Sequence, residues 1–189
     1  MAQKRKIAIF ASGNGSNFEA IARAAIGGEI EVEVALLVCD RPSARVVQIA
    51  QELGIASFVF SAKDYSSKQE FEQEIINRCN EAEVELICLA GYMRLVGETL
   101  LGAYEGKIIN IHTSLLPAFK GKDAIKQAFD YGVKVYGCTI HYVDNSLDGG
   151  KIISQSAIAY DGNNIEELEQ KIHSEEHTLY INTIRELLN

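Results

Sequence analysis

Lys6-Ile7-Ala8-Ile9-Phe10-Ala11 runs straight into Ser12-Gly13-Asn14-Gly15-Ser16-Asn17, and from there into Phe18, Ile21, Ala22 and Ala25, which share one helical face. An apolar run, a glycine-rich turn and an amphipathic helix in that order read as a strand–loop–helix unit. The unit repeats. Apolar runs of strand length recur at residues 32–39, 57–60, 84–90 and 107–111, none with clean in–out alternation, as expected for parallel strands covered on both faces. Between them Val46, Ile49, Ala50 and Leu53 form one helical face and Phe71, Ile75 and Cys79 another, while Gly27-Gly28 and Gly54 stand where helix C-caps are expected. The last third differs: residues 137–143 and 151–160 flank a polar turn at 144–150 and predict an antiparallel pair. Asn164, followed by Glu166 and Glu167, opens a long helix running through Leu188. The class predicted is α/β: a doubly wound, mostly parallel sheet with a C-terminal antiparallel hairpin and a closing helix. One domain over residues 1–189 is expected, with ligands at the carboxyl ends of the parallel strands.

Composition narrows the function classes. Of the 189 residues, 47% are hydrophobic and 23% charged, enough apolar material for a packed core. Two prolines and no low-complexity tract exclude a disordered or collagen-like chain. A formal charge of −8 argues against a nucleic-acid partner, whose affinity needs clustered Lys and Arg. Small anionic substrates stay open, since a local site can hold them against the global field. No apolar run approaches the roughly 20 residues needed to span a bilayer. The basic start Lys4-Arg5-Lys6 passes into the first strand without a cleavage pattern, so no membrane partner and a cytoplasmic location are expected. Cys39, Cys79, Cys88 and Cys138 form no C-x-x-C pair and are expected to be reduced core thiols; no metal site is expected.

Four segments can carry chemistry. The glycine-rich Gly13-Asn14-Gly15-Ser16-Asn17 turn can present backbone N–H groups and side-chain donors to an anion at a helix start, or serve only as a capped turn. It lacks the Gly-Lys-Ser/Thr of a Walker A loop, and Phe18 stands where a dinucleotide fingerprint wants a small residue. Asp40, ending the second strand, imitates a ribose-binding acid, but without the phosphate loop that role requires. In Ile109-Asn110-Ile111-His112 the amide and the imidazole project the same way from a strand's carboxyl end, suited to a developing oxyanion and a mobile proton, or to a satisfied histidine beside a polar strand end. Leu147-Asp148-Gly149-Gly150 puts a carboxylate in a turn, where it can orient an imidazole or simply turn the chain. Leu89-Ala90-Gly91-Tyr92-Met93-Arg94-Leu95-Val96 offers an apolar wall with one cation, or a buried loop whose Arg94 reaches solvent.

Taken together these segments, with Ser114-Leu115-Leu116-Pro117 and with Glu175-Glu176-His177 before Leu179-Tyr180, resemble the folate-dependent formyltransferases, and within them the glycinamide ribonucleotide formyltransferases. The resemblance runs over nearly the whole chain. It implies transfer of a formyl group from the co-substrate 10-formyltetrahydrofolate to the amine of glycinamide ribonucleotide in purine biosynthesis, by a monomer or homodimer and without a metal. It implies catalytic roles for Asn110, His112 and Asp148. Gly15, Ser16 and Asn17 fall where the ribonucleotide's phosphate is bound, and Glu176 where its ribose hydroxyls are held. Met93, Arg94, Leu95, Val96 and Leu147 fall beside the folate, and Lys68 where some relatives carry an arginine near it.

Four positions depart from the family pattern: Thr113, Lys120, Lys151 and Ile181 stand where prolines are usual. Loss of proline frees backbone N–H groups and loosens loops without deleting a catalytic group, so the chemistry is expected to be retained. Lys120 and Lys151 are candidates to attract the anionic glutamyl tail of a folate. Two rival functions are a formyltetrahydrofolate hydrolase, which shares the Asn, His and Asp set, and a nucleotide- or folate-binding module without catalysis. A methionyl-tRNA formyltransferase is disfavoured by the acidic charge and the different N-terminal loop.

Overall fold

The computed structural model describes residues 4–188. Strands β1 (Arg5–Phe10), β2 (Val32–Cys39), β3 (Ser57–Val59), β4 (Leu86–Leu89), β5 (Ile108–His112), β6 (Val135–Tyr142) and β7 (Ile152–Ala159) form one sheet in the order β3-β2-β1-β4-β5-β6-β7. The first five are parallel, whereas β5–β6 and β6–β7 pair antiparallel. The strands fall within two residues of the expected ends, and the hairpin is where the polar turn put it. Helices α1 (Ser16–Ile26), α2 (Arg45–Glu52), α3 (Lys68–Glu81), α4 (Glu98–Ala103), α5 (Ala124–Tyr131) and α6 (Ile165–Leu188) complete the fold, with a 3-10 turn at Ala62–Asp64.

The absence of alternation in the strands has its cause in two apolar layers. Ile7 and Ile9 of β1 and Leu86 and Cys88 of β4 face a cluster built with Phe18 and Ile21 of α1, Val46 and Ile49 of α2, and Tyr180 and Ile184 of α6. Ala8, Phe10, Ile87 and Leu89 face the opposite cluster, with Phe71, Ile75 and Cys79 of α3 and Leu100 of α4. Both sides of each central strand are therefore dry, and apolar residues are favoured at every position. All four cysteines are free thiols buried in these layers.

Caps and anchors place the ends. Asn164 caps α6, its side-chain oxygen accepting from Glu167 N–H at 3.1 Å. Helix α6 continues unbroken through Ile181, where the family usually carries proline, and Ile181 packs against the first layer. The fully buried Tyr180 hydroxyl donates to the carbonyl of Leu89 at 2.9 Å, tying α6 beneath the carboxyl end of β4. Two short helices, α4 and α5, have no counterpart among the sequence expectations. Six residues of α4 give too little periodicity to read, and its start is made by a distant group: the buried Glu72 carboxylate accepts from Gly97 N–H at 2.6 Å and Leu100 N–H at 3.3 Å. Among the described residues no helix is long and apolar enough to cross a membrane.

Candidate active site

The site gathers at the carboxyl ends of β1, β4 and β5, roofed by the β6–β7 turn. Because Ile109 and Ile111 are buried in the α1/α2/α6 layer, the period-two geometry of β5 turns Asn110 and His112 to the other face. The antiparallel register sets Asn110 opposite His141 and His112 opposite Thr139.

His112 is buried and held at both ring nitrogens. Its Nε2 lies 2.8 Å from the carbonyl oxygen of Phe119, an acceptor only, so Nε2 carries a proton. Nδ1 then faces Asp148, with Oδ2 at 3.5 Å. The same Oδ2 accepts from Gly121 N–H at 2.8 Å, so residues 119–121 grip the imidazole and the carboxylate together. The loop before them is pinned by Thr139, whose hydroxyl donates to Ser114 O at 2.7 Å and accepts from Leu116 N–H and from the Gln155 amide. Asp148 has φ 46°, a left-handed conformation that Asp tolerates better than most residues. The two glycines after it are demanded by crowding: a Cβ on Gly149 would strike Ser146 Oγ, and one on Gly150 the carbonyl of Tyr142.

His141 is a site residue the sequence reading did not include. It is 3% exposed, and its Nδ1 lies 2.9 Å from the carbonyl of Tyr142, which fixes the proton there. Burial pushes its pKa below the ordinary histidine value, favouring the neutral ring. Nε2 is then an acceptor, and it meets Asn110 Nδ2 at 3.1 Å; Asp148 Oδ1 lies 3.8 Å from the same nitrogen. The contact orients the Asn110 amide with its nitrogen toward His141 and leaves the second N–H without a partner among the described residues. The sequence signal was the polar face Thr139 and His141 between Cys138, Ile140 and Tyr142, but its pairing with Asn110 depends on inter-strand register.

The glycine-rich loop leads into α1 with Gly15 at the N-cap, at φ 78°. A Cβ there would lie 2.6 Å from Val46 Cγ2, so the close approach of α2 requires glycine. Ser16 and Asn17 begin the helix, their N–H groups among those at its start without intrahelical partners. Asn17 Nδ2 donates to the buried Glu176 Oε2 at 3.4 Å, bringing two of the expected ribonucleotide residues together across 159 positions. Asn17 Oδ1 and His177 Nε2 are buried without partners among the described residues. His173 Nδ1 lies 2.6 Å from Glu176 Oε2, and that hydrogen bond raises the histidine's pKa.

The residues expected beside the folate divide into two groups. Met93, Leu95 and Leu147 are exposed apolar side chains at 66%, 70% and 57%, and Val96 is half-buried against the α3/α4 layer. Leu147 lies over Gly121, next to the groups that hold Asp148. Arg94 is turned inward, donating from Nε to Asp40 at 2.7 Å. Lys68 covers Gly97 with its aliphatic stem, its Nζ 3.9 Å from Glu72. Two surface grooves run along β2 and β3, lined by residues such as Ile26, Val34, Ile55 and Phe58, and none of the expected site residues lines them.

The arrangement offers a donor amide, an imidazole paired with a carboxylate, N–H groups at a helix start and an exposed apolar wall. Comparison with known proteins agrees in scope. The formyl transferase family matches residues 5–184. The phosphoribosylglycinamide formyltransferase of Bacillus subtilis (strain 168) is 55% identical over 185 residues, covering 97% of this chain and 95% of the relative. The crystal structure of glycinamide ribonucleotide transformylase 1 from Geobacillus kaustophilus superposes with a TM-score of 0.96 at 52% identity, covering 99% of this chain and 100% of that one. That of phosphoribosylglycinamide formyltransferase from Bacillus halodurans gives 0.94 at 48% identity, covering 98% and 96%.

Proposed function

As the chain belongs to the formyl transferase family, we propose that Asn110, His112 and Asp148 carry in it the transfer of the formyl group of 10-formyltetrahydrofolate to the amine of glycinamide ribonucleotide. The activity is that of a phosphoribosylglycinamide formyltransferase, a step of purine biosynthesis. The chain acts as one domain: its N-terminal part binds the ribonucleotide phosphate at Gly15, Ser16 and Asn17, and its C-terminal part supplies Glu176 for the ribose and most of the catalytic groups. The observation that carries this reading is the His112 Nδ1–Asp148 Oδ2 approach of 3.5 Å beside the one free N–H of Asn110.

The substrate amine attacks the formyl carbon, and the carbonyl oxygen becomes an oxyanion. The free Asn110 N–H and a proton on His112 Nδ1 are the donors available to it, since Nε2 is engaged by Phe119. Asp148 accepts the proton leaving the amine, directly or through a water, because its Oδ1 is not taken by a backbone donor. Collapse breaks the bond between the formyl carbon and the folate nitrogen, which takes up the proton and departs as tetrahydrofolate. Met93, Leu95, Val96 and Leu147 supply apolar contact for the flat folate ring, and Lys68 a cation at the edge of that wall. Holding the two substrates at reacting distance supplies much of the rate.

The test is a spectrophotometric assay with 10-formyltetrahydrofolate, with and without glycinamide ribonucleotide, run beside Asp148→Asn. Turnover only with the ribonucleotide, reduced about 10²- to 10⁴-fold in the variant, is expected. Deformylation without the ribonucleotide would make the protein a hydrolase, and tight binding of both ligands without turnover a binding module.

A further inference from the structure

Asp40 directly follows β2 as a buried carboxylate, in the place where a nucleotide-binding fold would present an acid to a ribose. Both of its oxygens are already engaged. Oδ1 accepts from the Ser12 hydroxyl at 2.5 Å and Oδ2 from Arg94 Nε at 2.7 Å. The Ser12 oxygen in turn accepts from Met93 N–H at 2.9 Å, and Ser12 N–H donates to Gly91 O at 3.1 Å. Since Met93 and Arg94 are adjacent, these bonds close a ring through the loops after β1, β2 and β4. The Arg94 guanidinium also lies over Phe71 of α3, 5.6 Å from the ring centre. Ser12 is 1% exposed and the Asp40 side chain 4%, whereas Arg94 keeps 35% of its side chain in water.

Resting on the reading of residues 93–96 as the folate wall, we propose that Asp40 is a positioning residue that fixes this wall, through Arg94 and Ser12, to the loop carrying the ribonucleotide phosphate site. The physical case is one of direction and of number. Gly91 and Tyr92 cross from β4 to the wall without helical or strand hydrogen bonds, and the exposed Met93 and Leu95 side chains bury too little to hold the backbone. The far end of the wall is set at Gly97 by Glu72. The near end has Tyr92, packed edge-on against Phe10 at 5.4 Å, and beyond it Ser12 and Asp40, which hold Met93 and Arg94 themselves. Gly13-Asn14-Gly15 follows Ser12 directly, so one buried carboxylate sets the spacing between the two substrate sites. Asp40 faces no ligand in this role and ionic contact with a ribose is not required of it.

The test compares Asp40→Asn, Arg94→Gln and their combination with Leu95→Asp, a surface change on the wall itself, by steady-state kinetics in both substrates. An asparagine keeps the shape of Asp40 but turns an N–H toward one of the two donors. The folate KM is expected to rise about 10-fold in Asp40→Asn and in Arg94→Gln. The ribonucleotide KM is expected to stay within about 2-fold, since Gly15 and α1 hold that loop against Val46, whereas kcat is expected to fall about 10-fold as the folate loses its fixed distance from the amine. The double variant is expected to be no worse than the more impaired single one. Should Asp40→Asn not fold, Arg94→Gln reads the same pair from its solvent end. An unchanged folate KM in both, with Leu95→Asp raising it, would overturn the proposal and leave the wall reading standing. If Leu95→Asp also leaves it unchanged, the wall reading fails and takes the proposal with it. Equal rises in both KM values together with a lowered melting temperature would reduce Asp40 to a general staple and refute its positioning role.

Discussion

Replacing His141 by alanine removes the acceptor that orients the Asn110 amide while leaving Asn110 itself in place. The expected loss can be bounded from the structure. The ceiling is set by Asn110: an oxyanion donor removed outright costs about 10²- to 10³-fold in kcat, or about 2.7–4 kcal/mol. The floor is the neutral hydrogen bond at 3.1 Å, worth about 1 kcal/mol, or about 5-fold if all of it acts in the transition state. With the amide free to rotate in a buried site, its second N–H points at the oxyanion only part of the time. The loss expected is therefore about 10- to 100-fold in kcat, with kcat/KM falling equally, because the contact serves the transition state and not ground-state binding. His141 is 3% exposed, so its truncation also costs stability, and the rates are compared at a temperature where thermal unfolding shows the variant folded. The discriminating assay is a double-mutant cycle. In an Asn110→Ala background the further change at His141 is expected to cost less than about 3-fold, since the group it orients is gone. A His141→Ala enzyme within about 3-fold of the parent, or losses that multiply in the double variant, would refute the assignment.

Three further outcomes are expected. Gly15→Ala places a methyl group 2.6 Å from Val46 Cγ2 at φ 78°, so left-handed strain and overpacking together are expected to cost about 2–4 kcal/mol in chemical denaturation, with a raised ribonucleotide KM; a variant as stable as the parent would show that α2 can yield there. The His173 pKa is raised by Glu176, so the stability it contributes is complete below the unfolded value near 6.5 and is lost as pH rises through the folded value. His173→Gln is therefore expected to destabilise the protein at about pH 6 and much less at about pH 9, and an equal effect at both would reject the ion pair as its source. Lys120 has its ammonium beside the loop that carries Asp148, close to Gly149, and Lys120→Ala is expected to weaken polyglutamylated folate more than the monoglutamate; equal effects in a KM comparison would remove its role toward the glutamyl tail.

The strand–loop–helix repeat, the hairpin and the closing helix were legible because each rests on interactions within a few residues. Hydrophobic period, glycine at a turn and Asn164 three residues before Glu167 are local signals, and the caps they predict are present. The candidate residues were also legible as segments. Asn110 and His112 on one face follow from β-strand periodicity alone, and Asp148-Gly149-Gly150 announces a turn that only glycines can complete so close to Ser146 and Tyr142. The assignment of Asn17 and Glu176 to one ligand came from the family resemblance and from no local pattern, and their contact across 159 positions is set by the tertiary fold.

What the sequence by itself determined, then, is the order of elements, the two-sided burial of the strands and the set of groups available for chemistry. Tertiary structure decided which of those groups meet. His141 reaches Asn110 only through the register of an antiparallel pair, and a shift of one residue would carry it into the apolar layer instead. Arg94 pairs with Asp40 across 54 positions, and helix α4 begins where a carboxylate from α3 supplies the cap its own sequence lacks. Contacts between distant segments depend on how whole layers pack, since the free energy that brings them together is spread over the core rather than written in the residues that touch.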